Sequence, residues 1–183
     1  MAKEEYAIVL DYLSHGHLLD RRPIHRKAAI ALAIGKEHFL LLELVLKKGV
    51  TLQLHEEVYI GEGKRDKIHY IAGRIFPDKL TETAKTELKF VLQELVNKNE
   101  ARFVEFFNKS LPINVRIHQL ELLPGVGKKH AAEIIGMREE KPFSSFEDIR
   151  ARVKLLPDPE KVIIKRILLE LEGNEKHNLF VGV

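Results

Sequence analysis

The residues best suited to chemistry lie in the stretch LLPGVGKKHAAEII, residues 122–135. Two glycines flank a valine behind a proline, and two lysines then open a segment with the apolar pattern of a helix. Gly125 and Gly127 can take positive φ and can let another chain approach the backbone closely. The first N–H groups of the new helix would point out of the turn with the positive end of the helix dipole. This arrangement attracts a phosphate without reading a base.

This turn resembles the helix-hairpin-helix family of nucleic-acid-binding motifs, in which an apolar segment, Pro-Gly-Val-Gly and an aliphatic helix follow one another. The resemblance implies that the phosphate-binding amides are those of Gly125, Gly127 and Lys129. In some family members turn carbonyls hold a monovalent cation that bridges to the phosphate, and the matching carbonyls are those of Glu121, Leu123 and Val126. The alternative is a compact turn without a ligand, because PGxG also occurs by chance. The nucleic-acid-binding residues predicted here are Gly125, Val126, Gly127, Lys128, Lys129 and His130.

A second segment, residues 141–171, repeats this layout with a different turn. Ser144 or Ser145 is a suitable N-cap for its first helix. Its turn reads PDPEK where the first reads PGVGK, so that Pro159 removes an N–H donor and Asp158 and Glu160 place carboxylates where a phosphate would lie. Proteins with tandem helix-hairpin-helix units pair two such hairpins. We therefore expect the second hairpin to be structural and the first to make the contact.

Two further clusters of basic residues are candidates for phosphate contacts. The stretch DRRPIHRKAA and the glycine-rich turn GEGKRDKIHY are each interpreted as a nucleic-acid-contacting loop or as an ordinary solvated loop. Tyr59 and Tyr70 could stack on bases, although a strand tyrosine is more often half-buried. The basic residues predicted to bind nucleic acid are Arg21, Arg22, Arg26, Lys27, Lys64, Arg65 and Lys67.

The elements that position these residues divide the chain near residue 80. Before it, five apolar or alternating runs of strand length predict an OB-like small β-barrel, with a hairpin at Gly35-Lys36-Glu37 and with Leu52 and Leu54 at strand spacing. The first run, EEYAIVLDYL, also fits a helical period. After it, Thr81 is expected to cap a long amphipathic helix that breaks near Asn97–Asn99.

From Val115 to Leu171 the pattern predicts helices with two proline-centred interruptions. The predicted fold class is α+β, an N-terminal OB-like β-barrel followed by an all-α tandem helix-hairpin-helix domain. The expected ranges are 1–80 for the barrel, 81–110 for a connecting helical region and 111–183 for the hairpin domain. The tail GNEKHNLFVGV ends in apolar residues that either dock on the chain or reach a protein partner.

The composition excludes several functions. The chain has 183 residues, no cysteine and a formal net charge of +3, so disulfides and thiolate chemistry are excluded, while nucleic-acid binding is permitted without being required. No apolar run approaches the roughly 20 residues that span a bilayer, and the N-terminus lacks a secretory pattern, so we expect a cytoplasmic protein without a membrane partner. SHGHLLD has too few ligands to predict a metal site, and we expect no cofactor.

A catalytic role is not expected. Glycosylases with helix-hairpin-helix units use an aspartate after the hairpin, but Asp148 lies in SSFEDI, a helix-start pattern. Over its whole length the chain resembles the uncharacterised archaeal DUF655 family, and this resemblance implies RNA binding. The order of its domains is also similar to that of the RuvA family of Holliday-junction-binding proteins. We therefore predict a non-catalytic nucleic-acid-binding protein, with structured RNA favoured over DNA. The alternatives are a DNA junction or repair factor, a glycosylase- or nuclease-related enzyme, and a protein-interaction scaffold.

Overall fold

A computed structural model describes residues 2–183. Its contacts divide the chain into two compact units. The first comprises the chain up to Val91 together with Glu170–Val183, and the second comprises Leu92–Leu169. The C-terminal tail thus joins the N-terminal strands, whereas the predicted ranges grouped it with residues 111–183. Within residues 2–183, no helix combines the length and the apolar character needed to cross a lipid bilayer.

The first unit contains one five-stranded antiparallel sheet. The strands lie in the order β4-β1-β2-β3-β5, and the predicted hairpin joins β2 to β3. The strands are β1 (Tyr6–Leu13), β2 (Ile30–Gly35), β3 (Leu41–Leu46), β4 (Glu57–Tyr59) and β5 (Ile68–Arg74). The five predicted strands are confirmed, and the first run is a strand rather than a helix. Leu52 and Leu54 lie outside β4, so the prediction that they belong to a strand is wrong.

The sheet is curled into a half-barrel whose edge strands are β4 and β5. Each residue of β2 is buried, which explains why its sequence, IALAIG, is continuously apolar instead of alternating. β1 and β3 also contribute large buried side chains. The predicted α+β class is confirmed, and the sheet forms a half-barrel.

Two buried carboxylates hold loops of the first unit in place. Glu4 accepts hydrogen bonds from the N–H groups of Glu37, His38 and Leu40 (3.0, 2.8 and 3.2 Å) and so fixes the β2–β3 connection. A Cβ at Gly35 would lie 1.9 Å from Cδ of Glu4, so this close approach requires glycine.

Glu170 holds the C-terminal tail. Its carboxylate accepts the N–H groups of Leu179, Phe180 and Val181 (2.6, 2.9 and 2.8 Å). Phe180 and Val181 are buried, and the N–H of Gly182 donates to the carbonyl of His38 (2.9 Å). The tail therefore docks on its own chain, and its buried apolar residues give no argument for the predicted protein partner.

Five α-helices follow the sheet. Thr81 Oγ1 accepts the N–H of Ala84 (3.1 Å), which confirms the predicted cap, and the predicted break lies at Asn99. The helices are α1 (Glu82–Lys98), α2 (Glu100–Lys109), α3 (Lys128–Glu140), α4 (Phe146–Arg152) and α5 (Pro159–Leu171). α1 crosses the division between the units at Val91.

The segment before the first predicted hairpin is largely not helical. Residues 111–118 form a loop closed by a bridge between Pro112 and His118, and only Gln119–Leu122 form a short 3₁₀ helix. The prediction of an ordinary helix starting at Val115 is therefore wrong. The core of the second unit includes the buried side chains of Phe103, Phe107, Leu120, Ile134, Ile149 and Ile163.

Candidate nucleic-acid interface

The turn between the 3₁₀ helix and α3 uses its two glycines differently. Gly125 has φ +80°, in the left-handed region that favours glycine. Gly127 has φ −95° and ψ −174°, an extended conformation open to any residue. Both glycines can take positive φ, and of the two only Gly125 does so.

The surroundings of the two glycines differ as well. A Cβ at Gly125 would lie 3.2 Å from Cγ of Pro157, so the first turn packs against the second. A Cβ at Gly127 would have no atom within 4 Å among residues 2–183, apart from those of Gly127 and its two neighbours along the chain. Contacts and backbone conformation within the described chain thus account for the glycine at 125 and leave the glycine at 127 without an internal reason.

We expect Gly125→Ser to lower the free energy of unfolding by about 1–3 kcal/mol, because a side chain in the left-handed region is strained and would press on Pro157. The matched change Gly127→Ser should leave stability unchanged or raise it by a few tenths of a kcal/mol, since serine is a good N-cap. Urea unfolding of both variants measures the difference. Equal losses of stability would contradict the assignment of separate roles to the two glycines.

The start of α3 carries positive charge and has no side-chain cap. Gly127 is its N-cap and supplies no side-chain acceptor, and the first turn has no acidic residue. The first hydrogen bond of the helix runs from the N–H of Ala131 to the carbonyl of Gly127 (3.0 Å). The N–H groups before Ala131 therefore have no acceptor within the helix. Lys129 is exposed, and His130 is half-buried. An anion at this point would meet both N–H donors and lysine charge.

Three other α-helices, α1, α4 and α5, have a side-chain acceptor for an N–H of their first turn, whereas α2, which follows α1 after one residue, has none. Thr81 caps α1, and Ser145 Oγ accepts the N–H of Asp148 (2.9 Å) at the start of α4. The carboxylate of Asp158 accepts the N–H of Glu160 (3.1 Å) at the start of α5. The second turn therefore fills with its own aspartate the position that the first turn leaves open.

Lys128 and Val126 have structural contacts that the sequence did not reveal. The ammonium of Lys128 lies 3.1 Å from the carboxylate of Glu121 and donates to the carbonyl of Arg116. Glu121 also accepts a hydrogen bond from the N–H of His118 (2.7 Å), and this bond, followed by the hydrogen bond from Lys128, lowers the pKa of the Glu121 carboxyl. Lys128 thus ties the 111–118 loop to the turn, while the side chain of Val126 is buried. Only the backbone of Val126 could face a ligand.

The carbonyls named for a cation are partly engaged. The Leu123 carbonyl accepts the N–H of Val126 (3.0 Å), and the neighbouring Leu122 carbonyl accepts Arg166 Nη1 (3.0 Å). A carbonyl oxygen has two lone pairs, so the Leu123 carbonyl keeps one for a further partner. The monovalent cation stays a prediction.

Asp148 has the environment of a capping residue. Its carboxylate accepts the N–H of Ser144 (3.0 Å) and Nη1 of Arg152 (3.2 Å). These contacts, the Ser144 hydrogen bond first, lower the pKa of the Asp148 carboxyl.

The basic residues of DRRPIHRKAA have different surroundings in the structure. Arg22 forms a bidentate pair with Asp20, with Nε 3.1 Å from Oδ1 and Nη2 2.7 Å from Oδ2. This pair lowers the pKa of Asp20 to about 2, and the ionised carboxylate balances the charge of the Arg22 guanidinium. Arg21 is exposed. His17 of the same loop pairs with Glu43 (2.8 Å).

Arg26 and Lys27 lie in a different place, which we call the basic groove. It is a cavity of about 810 Å³ at the end of the sheet where β1 and β3 finish and β2 and β5 begin. Its basic lining residues are His25, Arg26, Lys27, Lys47, Lys48 and His69. Lys47, Lys48 and His69 were not among the predicted binding residues, and the Lys47-Lys48 pair at the end of an apolar run was the signal for the first two.

The glycine-rich turn holds the third basic cluster. Arg65 Nε donates to the carbonyl of Gly61 (2.8 Å), Lys67 pairs with Glu56, and Lys64 is exposed. The Tyr59 hydroxyl accepts the N–H of Gly63 (2.9 Å), and a Cβ at Gly61 would lie 2.5 Å from that hydroxyl.

Tyr59 therefore supports this turn, and its stacking on a base stays a prediction. Tyr70 is half exposed, at 50%, and lines the basic groove. The structure thus brings Arg26, Lys27 and Tyr70 together, whereas Lys64, Arg65 and Lys67 do not line that groove.

Comparison with known proteins shows that the chain is similar to archaeal proteins. A family model described as a protein of unknown function, DUF655, matches residues 3–182. An uncharacterised protein of Methanocaldococcus jannaschii, MJ0038, is 43% identical over 180 residues, which cover 98% of this chain and 80% of that protein. The crystal structure of Af1531 from Archaeoglobus fulgidus, described under the same family model, aligns with a TM-score of 0.88 and 45% identity, covering 98% of this chain and 100% of the other.

Proposed function

The chain belongs to the DUF655 family, which is described as having unknown function, and we therefore propose a function from the residues of the chain itself. It is a non-catalytic nucleic-acid-binding protein that holds the phosphate backbone at the turn before α3. One observation carries the proposal. Gly127 is exposed, has open space where a side chain would lie, and stands at a helix start without a side-chain cap, close to the exposed Lys129. A glycine without an internal reason is accounted for if a ligand approaches the backbone at that position.

We further propose that the two turns form a tandem helix-hairpin-helix unit. Both turns precede helices of 13 residues, and the approach of Gly125 to Pro157 supports their pairing. In this unit the second turn is architectural, because Asp158 caps α5 and pairs with Arg150 (3.1 Å). The half-barrel is proposed to be OB-like, with its basic residues contacting another part of the same nucleic acid.

Structured RNA is the proposed partner, in preference to DNA. OB-like barrels suit unpaired or irregular strands, which structured RNA presents more often than duplex DNA does. The non-catalytic assignment is supported by the contacts of Asp148, whose carboxylate is engaged at the start of α4 by Ser144 and Arg152. Turnover that is lost on Asp148→Asn would contradict this assignment.

We expect the affinity of the full chain for an RNA stem-loop to fall steeply with salt. Each phosphate neutralised by the protein releases counterions, which gives a slope of log affinity against log salt of about −0.7 to −0.9 per phosphate. Fluorescence anisotropy with a labelled stem-loop, repeated over a salt series, measures the slope.

A matched four-way DNA junction is the comparison probe. Tighter binding to the junction than to the stem-loop would favour a junction or repair factor over an RNA-binding protein. Binding that is undetectable or independent of salt with both probes would refute the proposal. Crosslinking in cells, followed by sequencing of the attached nucleic acid, would identify the natural target.

A further inference from the structure

The basic groove carries charge of one sign. Its lining includes four lysine or arginine residues and two histidines, and no aspartate or glutamate lines it among the residues that the structure describes. Asp20 in the neighbouring loop is already paired with Arg22. A concave surface of one charge concentrates the opposite ion at its centre, so the groove is suited to a polyanion.

The groove also offers aromatic surface. Tyr12 on β1 and Tyr70 on β5 both line it. The Tyr70 ring lies in an edge-to-face arrangement with His69, with centroids 5.2 Å apart, which helps to hold the exposed ring in place. An exposed tyrosine among cations is the combination with which proteins bind single-stranded nucleic acid, because bases stack on the ring while the backbone meets the charges.

The length of the groove follows from the number of strands that it crosses. The lining includes Ser14 after β1, Ala29 before β2, Leu46 of β3 and Tyr70 of β5, so it forms a row across four adjacent strands at this end. Three spacings between strands of about 4.8 Å make this row roughly 14 Å long. At a rise of about 3.4 Å per nucleotide, that length holds about four stacked nucleotides.

We propose that the basic groove binds an unpaired segment of nucleic acid about four nucleotides long, with one base stacked on Tyr70 and the backbone beside Arg26, Lys27 and Lys48. This inference rests on the proposed function and adds a second contact to it, specific for single strands. The turn before α3 holds a phosphate stretch without regard to pairing, whereas the groove requires exposed base faces.

The test compares four forms of the full chain: wild type, Tyr70→Leu, Tyr70→Phe and Lys48→Gln. Their affinities are measured by anisotropy for labelled oligouridylates, a tetranucleotide and an octanucleotide, and for a blunt RNA duplex. We expect Tyr70→Leu to weaken binding of the oligouridylates about 5- to 150-fold and to leave duplex binding unchanged. Tyr70→Phe keeps the ring and should retain wild-type affinity. Lys48→Gln should reduce the salt slope for single strands by about 0.7.

Other outcomes separate this inference from the proposed function. If the groove variants bind oligouridylates like wild type while Gly127→Asp weakens binding, the groove inference fails and the proposed function stands. If wild type binds none of the probes, the proposed function fails as well. If uridine monophosphate competes as well as the octanucleotide, the groove takes a free nucleotide and not a strand, which also overturns the inference.

Discussion

Gly127→Asp is expected to weaken nucleic-acid binding about 10- to 150-fold while leaving the protein as stable as wild type or slightly more stable. The new carboxylate would cap α3 and accept the N–H groups that the proposal assigns to a phosphate. The loss of charge-assisted hydrogen bonds to the phosphate, together with repulsion between the two negative charges, makes the binding free energy about 1.5–3 kcal/mol less favourable. The same carboxylate at the positive end of the helix dipole stabilises the fold by about 0.3–1 kcal/mol.

This opposite effect on binding and stability distinguishes a ligand site from a structural turn. Anisotropy with the RNA stem-loop measures the affinity, and urea unfolding measures the stability. Asp158→Asn is the matched control, because it changes the N-cap of α5 in the second turn and should leave the affinity within about twofold of wild type, a difference below 0.5 kcal/mol. Wild-type affinity in the Gly127→Asp chain would show that the turn before α3 does not contact nucleic acid.

Glu170→Ala is expected to lower the free energy of unfolding by about 3–5 kcal/mol. Glu170 is 0% exposed and lies in the last turn of α5, where the helix dipole disfavours a negative charge. The three hydrogen bonds that Glu170 accepts, from the N–H groups of Leu179, Phe180 and Val181, explain why a buried carboxylate lies there. Removing the carboxylate leaves those donors unsatisfied, two of them on buried residues.

Two measurements check the role of Glu170. Urea unfolding gives the loss of stability, and hydrogen exchange of the Leu179, Phe180 and Val181 amides reports whether the tail opens. Glu172→Ala, at an exposed neighbour, is the control and should change stability by less than about 0.5 kcal/mol. A Glu170→Ala chain within about 1 kcal/mol of wild type, with protected tail amides, would contradict the role assigned to this carboxylate.

Much of the secondary structure could be predicted because its signals are local. Alternating or continuous apolar runs located all five strands, and Thr81 marked the start of α1 through a hydrogen bond that spans three residues. The turn before α3 was equally visible, since Pro124, Gly125 and Gly127 lie within four positions. Periodicity and capping depend on neighbours along the chain, so one sequence suffices to predict them.

The role of each turn residue was decided by contacts that the sequence does not contain. Gly125 and Gly127 look equivalent in the sequence, but the approach of Pro157 and a positive φ apply to Gly125 alone. Lys128 looks like a phosphate ligand, but Glu121 and the Arg116 carbonyl engage it. Partners that lie far apart along the chain are fixed only when the elements pack.

The basic groove is the clearest product of tertiary structure. Arg26 and Lys27 belong to the connection before β2, Lys48 follows β3, and Tyr70 lies on β5, so no sequence window contains them together. The sequence by itself determined the strands, the helix starts and the glycine turn, because each depends on local spacing. Strand register and packing decided which cations share a surface, which glycine has no internal contact and where the tail docks. Both join residues that are distant along the chain.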